Sequence, residues 1–227
     1  MASTKRTVNS RTVKEKSPTV KSSSDRSPQT SAKPGPGRPD TCPWPSNDSL
    51  MTEYHDTEWG VPLHDDRKLF EFMVLDAFQA GLSWRTILHK RENFRKAFDN
   101  FEPEVIANYS EGKIQLLLQD AGIIRNKAKV RGTVDNARAF LKIREEYGSF
   151  DRYIWQFTGG KTLDNKPVAL SQIPVSSRES DAMSADLKKR GFKFVGTTIC
   201  YAFMQAAGMV NDHLVNCFCR DDHTIKR

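Results

Sequence analysis

From Cys42 onward, large apolar residues return every three or four positions, and that period commits the chain to helices. The run from Asp65 to Ala80 is the clearest case. Leu69, Phe70, Phe72, Met73, Val74, Ala77 and Phe78 form a stripe too broad for a surface helix. Gly81 stops it. Ser83 can cap a next helix reading through Ile87, Leu88, Phe94, Ala97 and Phe98. Pro103 stands where a first helical turn accepts proline. Further helices read from Ser110 to Asp120, from Asn126 to Tyr147 and from about Phe150 to Phe157. Ser176-Ser177-Arg178-Glu179 has capping-box spacing and opens a helix ending at Gly191. Thr197 to Ala207 is the last long helix. No two adjacent segments alternate with the period of two that strands need, so the expected fold class is all-α.

The first forty residues follow a different rule. They contain no Leu, Ile, Phe, Trp or Tyr. Residues 1–40 therefore cannot bury enough apolar surface to offset the entropy of ordering, and read as a disordered basic tail and linker. The domain reads as residues 41–220, followed by a short C-terminal tail, 221–227. Of the net charge of +7 on 227 residues, +6 lies in the first forty, so the basic balance does not describe a basic domain. No apolar run approaches the ~20 residues that span a bilayer. The N-terminus lacks the apolar core of a secretory signal. Four cysteines in a chain of this size do not make a disulfide scaffold. The expected setting is intracellular and reducing, nuclear in a eukaryote and cytoplasmic in a bacterium, with no membrane partner and a monomeric state.

In such a setting Cys beside His suggests metal. Cys42 and His55 frame the segment before the Asp65 helix. His213 and Cys217 are four apart, which on a helix places them on one face. Cys219, six from His213, would then point away. Two Cys and two His suit a closed, structural zinc site tying the start of the domain to its end. The alternative is four ordinary buried or surface residues. Cys200, inside an apolar helix, reads as a small core residue.

Trp44, Tyr54, Trp59 and Trp84 lie within about forty residues of one another, and Asp76 interrupts an apolar helix. A carboxylate there is costly unless it is paired or used. Core packing explains the aromatics and solvent exposure explains Asp76 equally simply. Taken together they describe a pocket: aromatic walls for a flat ring and an acceptor for its exocyclic amine. The same groups attract a cationic ring. Near the C-terminus, Lys188, Lys189, Arg190 and Lys193 surround a connection bracketed by Gly191 and Gly196, with Thr197 placed to cap the following helix. Such a helix–hairpin–helix turn exposes backbone N–H groups to a phosphate. A similar stretch runs from Gln119 to Lys129. Solvated helix ends are the plainer reading of either.

Tyr54-His55-Asp56-Thr57-Glu58-Trp59-Gly60-Val61-Pro62, Gln79-Ala80-Gly81-Leu82-Ser83-Trp84, Lys90-Arg91-Glu92-Asn93, Asp120-Ala121-Gly122-Ile123-Ile124-Arg125 and Arg190-Gly191-Phe192-Lys193-Phe194-Val195-Gly196 through Asn211-Asp212-His213 together resemble the DNA-3-methyladenine glycosylase I family. The similarity runs in order, with matching spacing, from Cys42 to about Cys217. It implies a helix–hairpin–helix DNA glycosylase fold acting on double-stranded alkylated DNA. It implies a structural zinc on Cys42, His55, His213 and Cys217. It also implies a base pocket of Trp44, Tyr54, Trp59 and Trp84 around a carboxylate at position 76. The chain departs from the family pattern there, because many members carry Glu where Asp76 stands. Met51 stands where the best-known members carry a pocket Tyr. These departures bear on affinity and substrate range more than on reaction class.

The implied reaction is hydrolysis of the N-glycosidic bond of 3-methyladenine, with Asp76 as the catalytic carboxylate and water as nucleophile. Leu82, in the turn before Ser83, is the candidate plug for the emptied stack, and a core leucine is its plainer reading. No lysine sits in the pocket motifs, so no strand cleavage is expected. Asp212 resembles the aspartate that other helix–hairpin–helix glycosylases use to stabilise the sugar cation, but it adjoins His213 and reads rather as support for the zinc site. A non-catalytic damage-binding module and a glycosylase of shifted alkylbase range remain as alternatives.

Overall fold

The computed structural model describes Ala2 and residues 40–220. The expectations for a 1–40 tail and for 221–227 fall outside these residues, apart from the two just named. Among the described residues there are ten α-helices. They are α1 (Ser49–Thr57), α2 (Asp66–Gln79), α3 (Trp84–Leu88), α4 (Arg91–Ala97), α5 (Pro103–Ile106), α6 (Glu111–Gln119), α7 (Lys127–Tyr147), α8 (Phe150–Trp155), α9 (Arg178–Lys189) and α10 (Thr197–Ala206). None is long and apolar enough to cross a membrane.

α2 is the axis. Asp65 caps it by accepting from the Lys68 N–H at 2.8 Å, and every side chain from Leu69 to Phe78 is buried. A helix buried on all sides must be wrapped, and α7, α8 and α10 pack around it. Phe70 meets Phe140 of α7 edge to face at 5.0 Å, and Phe78 meets Phe94 of α4 at 4.8 Å.

α9 and α10 flank the Arg190–Gly196 hairpin. Its buried residues Phe192 and Val195 anchor it, and Ser184 donates to the Val195 carbonyl at 2.7 Å. Asn136 of α7 clasps Lys193 on both sides, accepting from its N–H at 2.7 Å and donating to its carbonyl at 3.2 Å. A connection of the same length, Asp120–Asn126, joins α6 to α7.

Several local expectations are corrected. α1 was not anticipated; its buried stripe is only Met51, Tyr54 and His55, too thin to show a period. The helix read from Ser83 through Phe98 breaks at His89–Lys90, where Lys90 turns to reach the Ala121 and Gly122 carbonyls. The capping box on α9 is Ser177 with Ser180, one residue later than read. Gly196, not Thr197, occupies the cap position of α10. The Thr197 hydroxyl is taken by Asp181 and Ser180 of α9. The fold is mostly helical rather than wholly so, because β1 (Leu163–Asp164) pairs in parallel with β2 (Val210–Asn211). The 213–217 stretch is not helical.

Gly208, which follows α10, has φ +67°, and a Cβ there would lie 2.3 Å from the Val61 carbonyl carbon. Gly159 has φ +65° with open space around it. Gly159→Ala should therefore cost about 1 kcal/mol, the left-handed penalty alone. Gly208→Ala should cost about 3 kcal/mol or more, because it also forces the backbones apart. Thermal melts compare the two, and equal losses would contradict this account of the contact.

Candidate active site and metal centre

Five sequence-predicted residues meet at one cavity of about 240 Å³. Trp44, Trp59 and Trp84 line it with Tyr54 and Asp76. Trp44 and Trp59 stand edge to face at 5.1 Å, and Tyr54 and Trp84 lie 5.1 Å apart. α1 supplies Tyr54 and Met51, α2 supplies Asp76, and the first residue of α3 is Trp84.

Three buried polar atoms on the residues lining this cavity lack hydrogen-bond partners. Asp76 is 2 % exposed and its Oδ2 has no hydrogen-bond partner. The Trp44 and Trp84 indole N–H groups are likewise buried without acceptors. Burial pushes the Asp76 carboxyl well above the usual carboxylate range. Unpartnered buried polar atoms on three residues that line one cavity are costly, and such a lining suits a polar, flat guest.

Sequence reasoning missed Gln79, Ile173, Ala202 and Gln205 as lining residues. Gln205 had a usable signal, being a lone amide near the end of the apolar helix α10. Its Nε2 donates to Asp212 Oδ2 at 2.8 Å. Asp212 also accepts from the Tyr201 hydroxyl and the Asn165 amide, each at 2.8 Å. Asp212 thus orients a cavity residue.

Behind the Trp44–Trp59 wall lies a buried group of Cys42, His55, His213 and Cys217. Its ligand atoms are all within 4.8 Å of one another, so the group could hold a metal ion. Cys217 Sγ is 3.6 Å from His55 Nε2 and 3.5 Å from His213 Nδ1, and Cys42 Sγ is 3.8 Å from His213 Nδ1. The other ring nitrogens are engaged: His55 Nδ1 with Asp56 at 2.8 Å, and His213 Nε2 with the Trp59 carbonyl at 3.0 Å. A turn, not a helix, brings Cys217 back to His213. Cys219 does not point away; it is buried beside His55, 3.8 Å from Nδ1.

Leu82 is 42 % exposed in the turn after α2. Lys188, Lys189 and Lys193 are exposed around the hairpin, and Gly191 takes φ +96° there. Arg190 differs from them. Its guanidinium pairs with Glu146 and Asp186 and lies over the Tyr147 and Tyr153 rings.

A helical scaffold here presents a hairpin and an aromatic, carboxylate-bearing cavity whose walls suit a flat ring. Residues 44–220 match the methyladenine glycosylase family. DNA-3-methyladenine glycosylase 1 of Escherichia coli K12 is 51 % identical over 178 residues, covering 78 % of this chain and 95 % of that protein. A crystal structure of 3-methyladenine DNA glycosylase I superposes with a TM-score of 0.78 at 50 % identity, covering 79 % of this chain and 99 % of that one. A variant of such an enzyme in complex with 3-methyladenine superposes with a TM-score of 0.78 at 35 % identity, covering 80 % and 97 %. The chain belongs to the methyladenine glycosylase family.

The Asp76 carboxyl also carries a stability signature. Its raised folded value means that its neutral form favours folding below the unfolded value near pH 4. That contribution is lost as pH rises through the folded value. Asp76→Asn should accordingly raise the Tm near neutral pH by about 3 °C or more. The gain should fade below about pH 4, where Asp76 is protonated in both states. A wild-type protein as stable as Asp76→Asn at pH 7 would contradict the unpaired burial.

Proposed function

We propose that this chain is a monofunctional DNA glycosylase that hydrolyses the N-glycosidic bond of 3-methyladenine in double-stranded alkylated DNA, acting as a monomer. The observation that carries the reading is the aromatic cavity holding an unpartnered Asp76 oxygen. The relative solved with 3-methyladenine supports it.

The scissile bond lies inside the duplex, so the nucleotide must swing out. Leu82, a large apolar side chain held at the surface, fills the gap it leaves. Lys188, Lys189 and Lys193 bring charge to the backbone, and the hairpin amides meet a phosphate. Arg190, already ion-paired, shapes the hairpin instead.

A base methylated at the ring nitrogen is cationic while attached. Stacked between tryptophans, it gains cation–π and Coulomb energy that neutral adenine lacks. Its charge draws Asp76 back to the ionised form, and the carboxylate accepts from the exocyclic amine. When the C1′–N9 bond breaks, its electron pair returns to the ring and neutral 3-methyladenine departs. Water adds to C1′ and loses its proton to solvent. Among the described residues no lysine lines the cavity, so none of them places an amine to form a Schiff base and cut the strand.

The Cys42, His55, His213 and Cys217 set fits zinc. Ligand bonds of about 2.3 Å to sulfur and about 2.0 Å to nitrogen give tetrahedral S···N edges near 3.5 Å, and the observed separations are 3.5, 3.6 and 3.8 Å. Bound there, zinc would fix the two ends of the domain together, with Asp56 and the Trp59 carbonyl orienting the imidazoles.

Residues 41–220 form the catalytic domain in this reading, and the basic 1–40 segment adds non-specific affinity for DNA. The protein acts wherever the genome lies, the nucleus in a eukaryote and the cytoplasm in a bacterium.

Methylated duplex DNA incubated with the protein should release 3-methyladenine on a chromatogram. Asp76→Asn should lose most of that release, about 100-fold or more, while keeping about one zinc per chain. No release by wild type above a heat-killed control would sink the enzymatic reading, and binding without release would favour a damage-recognition module. Deleting residues 1–40 should flatten the salt dependence of DNA binding yet leave excision nearly intact. Loss of excision would show that the segment belongs to the catalytic unit.

A further inference from the structure

Lys129 is a lysine that this mechanism leaves without a task. It sits in the first turn of α7, 7 % exposed, and does not line the base cavity. Its Nζ donates to the Phe78 carbonyl at 2.8 Å and to the Ala80 carbonyl at 2.6 Å. Both acceptors are backbone groups at the C-terminal end of α2. Burying an ammonium is expensive, and a neutral donor would satisfy a carbonyl at lower cost.

The place explains the choice. α2 carries Asp76 and ends at Gln79, leaving carbonyls without helical partners and a partial negative charge. The chain then turns within three residues. Ala80 leaves the helix at φ −46° and ψ 114°, Gly81 takes φ +79°, and the Leu82 N–H returns to the Gln79 carbonyl at 2.6 Å. Leu82 emerges 42 % exposed. A Cβ on Gly81 would touch nothing within 4 Å, so side-chain packing does not hold this turn from that side. The Lys129 ammonium gathers its two carbonyls from a neighbouring helix. Lys129 is itself fixed, since Asn126 accepts from its N–H at 3.1 Å and Thr133 donates to its carbonyl at 3.0 Å.

We propose that Lys129 is a positioning residue for lesion extrusion, holding the Ala80–Leu82 turn rigid so that Leu82 enters the gap left by the flipped nucleotide. The proposal rests on the glycosylase reading above. A preordered turn spares the complex the entropy of organising the plug while the duplex is open. Lys129 acts on the plug and not on the base, because its Nζ gives two hydrogen bonds to the end of α2 and its side chain does not line the cavity. Removing it should therefore separate two events that a general loss of structure would spoil together. The pocket should still take free base, and the enzyme should fail to open DNA.

The test compares wild type, Lys129→Met, Lys129→Gln, Leu82→Ala and the double variant Leu82→Ala/Lys129→Met. Indole quenching reads the affinity for free 3-methyladenine. Single-turnover excision uses methylated duplex. A 2-aminopurine beside the lesion brightens when the stack is opened. For Lys129→Met we expect free-base affinity within about twofold of wild type, excision slowed about 30-fold, and no 2-aminopurine rise. Lys129→Gln, which keeps one donor, should recover part of both DNA signals. The double variant should be no slower than the worse single one, as two groups on one element predict. Excision by Lys129→Met within about threefold of wild type would overturn the proposal. So would loss of free-base binding together with excision, additive slowing in the double variant, or failure of both Lys129 variants to fold. A wild-type protein that releases no base would overturn the glycosylase reading and this proposal with it. Release by wild type and Lys129→Met at equal rates would overturn this proposal alone.

Discussion

An acid side chain buried on the central helix, with one oxygen unpartnered, is the constraint on which the rest of the structure depends. Asp76 is held there because α2 is enclosed on every side, so the carboxyl cannot swing to water. The cost of that burial is felt by the empty protein, and in the proposed reading a positively charged guest relieves it. Each neighbouring feature then has a physical purpose. The tryptophans and Tyr54 wall the cavity with faces on which the proposed guest would stack, and two indole N–H groups have no acceptor.

The pocket walls are in turn held by the ends of the domain. Trp44 is two residues from Cys42, and Trp59 offers its carbonyl to His213. Trp44 also packs edge to face on His55 at 5.2 Å, and Trp59 on His213 at 4.6 Å. A group able to hold a metal therefore stands directly behind the aromatic wall. Segments with little apolar content of their own are brought together at that point, in contact with the wall. From the other side, Asp212 secures Gln205, so the cavity is braced by a buried polar network as well as by packing.

Much of this was legible in the sequence where the cause is local. Asp65, Ser83, Ser110 and Asn126 cap the helices they precede, because capping needs only a short polar side chain within three residues. Asp76 stood out because a carboxylate in an apolar run is an anomaly whatever the fold. The four cluster residues could be paired by type, although a turn rather than a helix brings His213 and Cys217 together. What stayed hidden depends on distant chain. Ser177 chose Ser180, and Thr197 gave up its cap for Asp181, because of contacts between α9 and α10. Arg190 looked like a free cation until Glu146, Asp186 and two tyrosine rings were placed around it. The hydrogen bonds of Asp212 and Lys129 carry no local mark, since their partners lie on other elements.

The central claim is that the pocket is balanced for positive charge. The most direct measurement is the affinity of the intact protein for a permanently cationic N3,N9-dimethylated adenine against neutral 9-methyladenine, by titration calorimetry at pH 7. The account predicts that the cation binds about 100-fold tighter or more and that Asp76→Asn removes most of this preference. Equal affinity for the two bases, or a preference that survives Asp76→Asn, would contradict it.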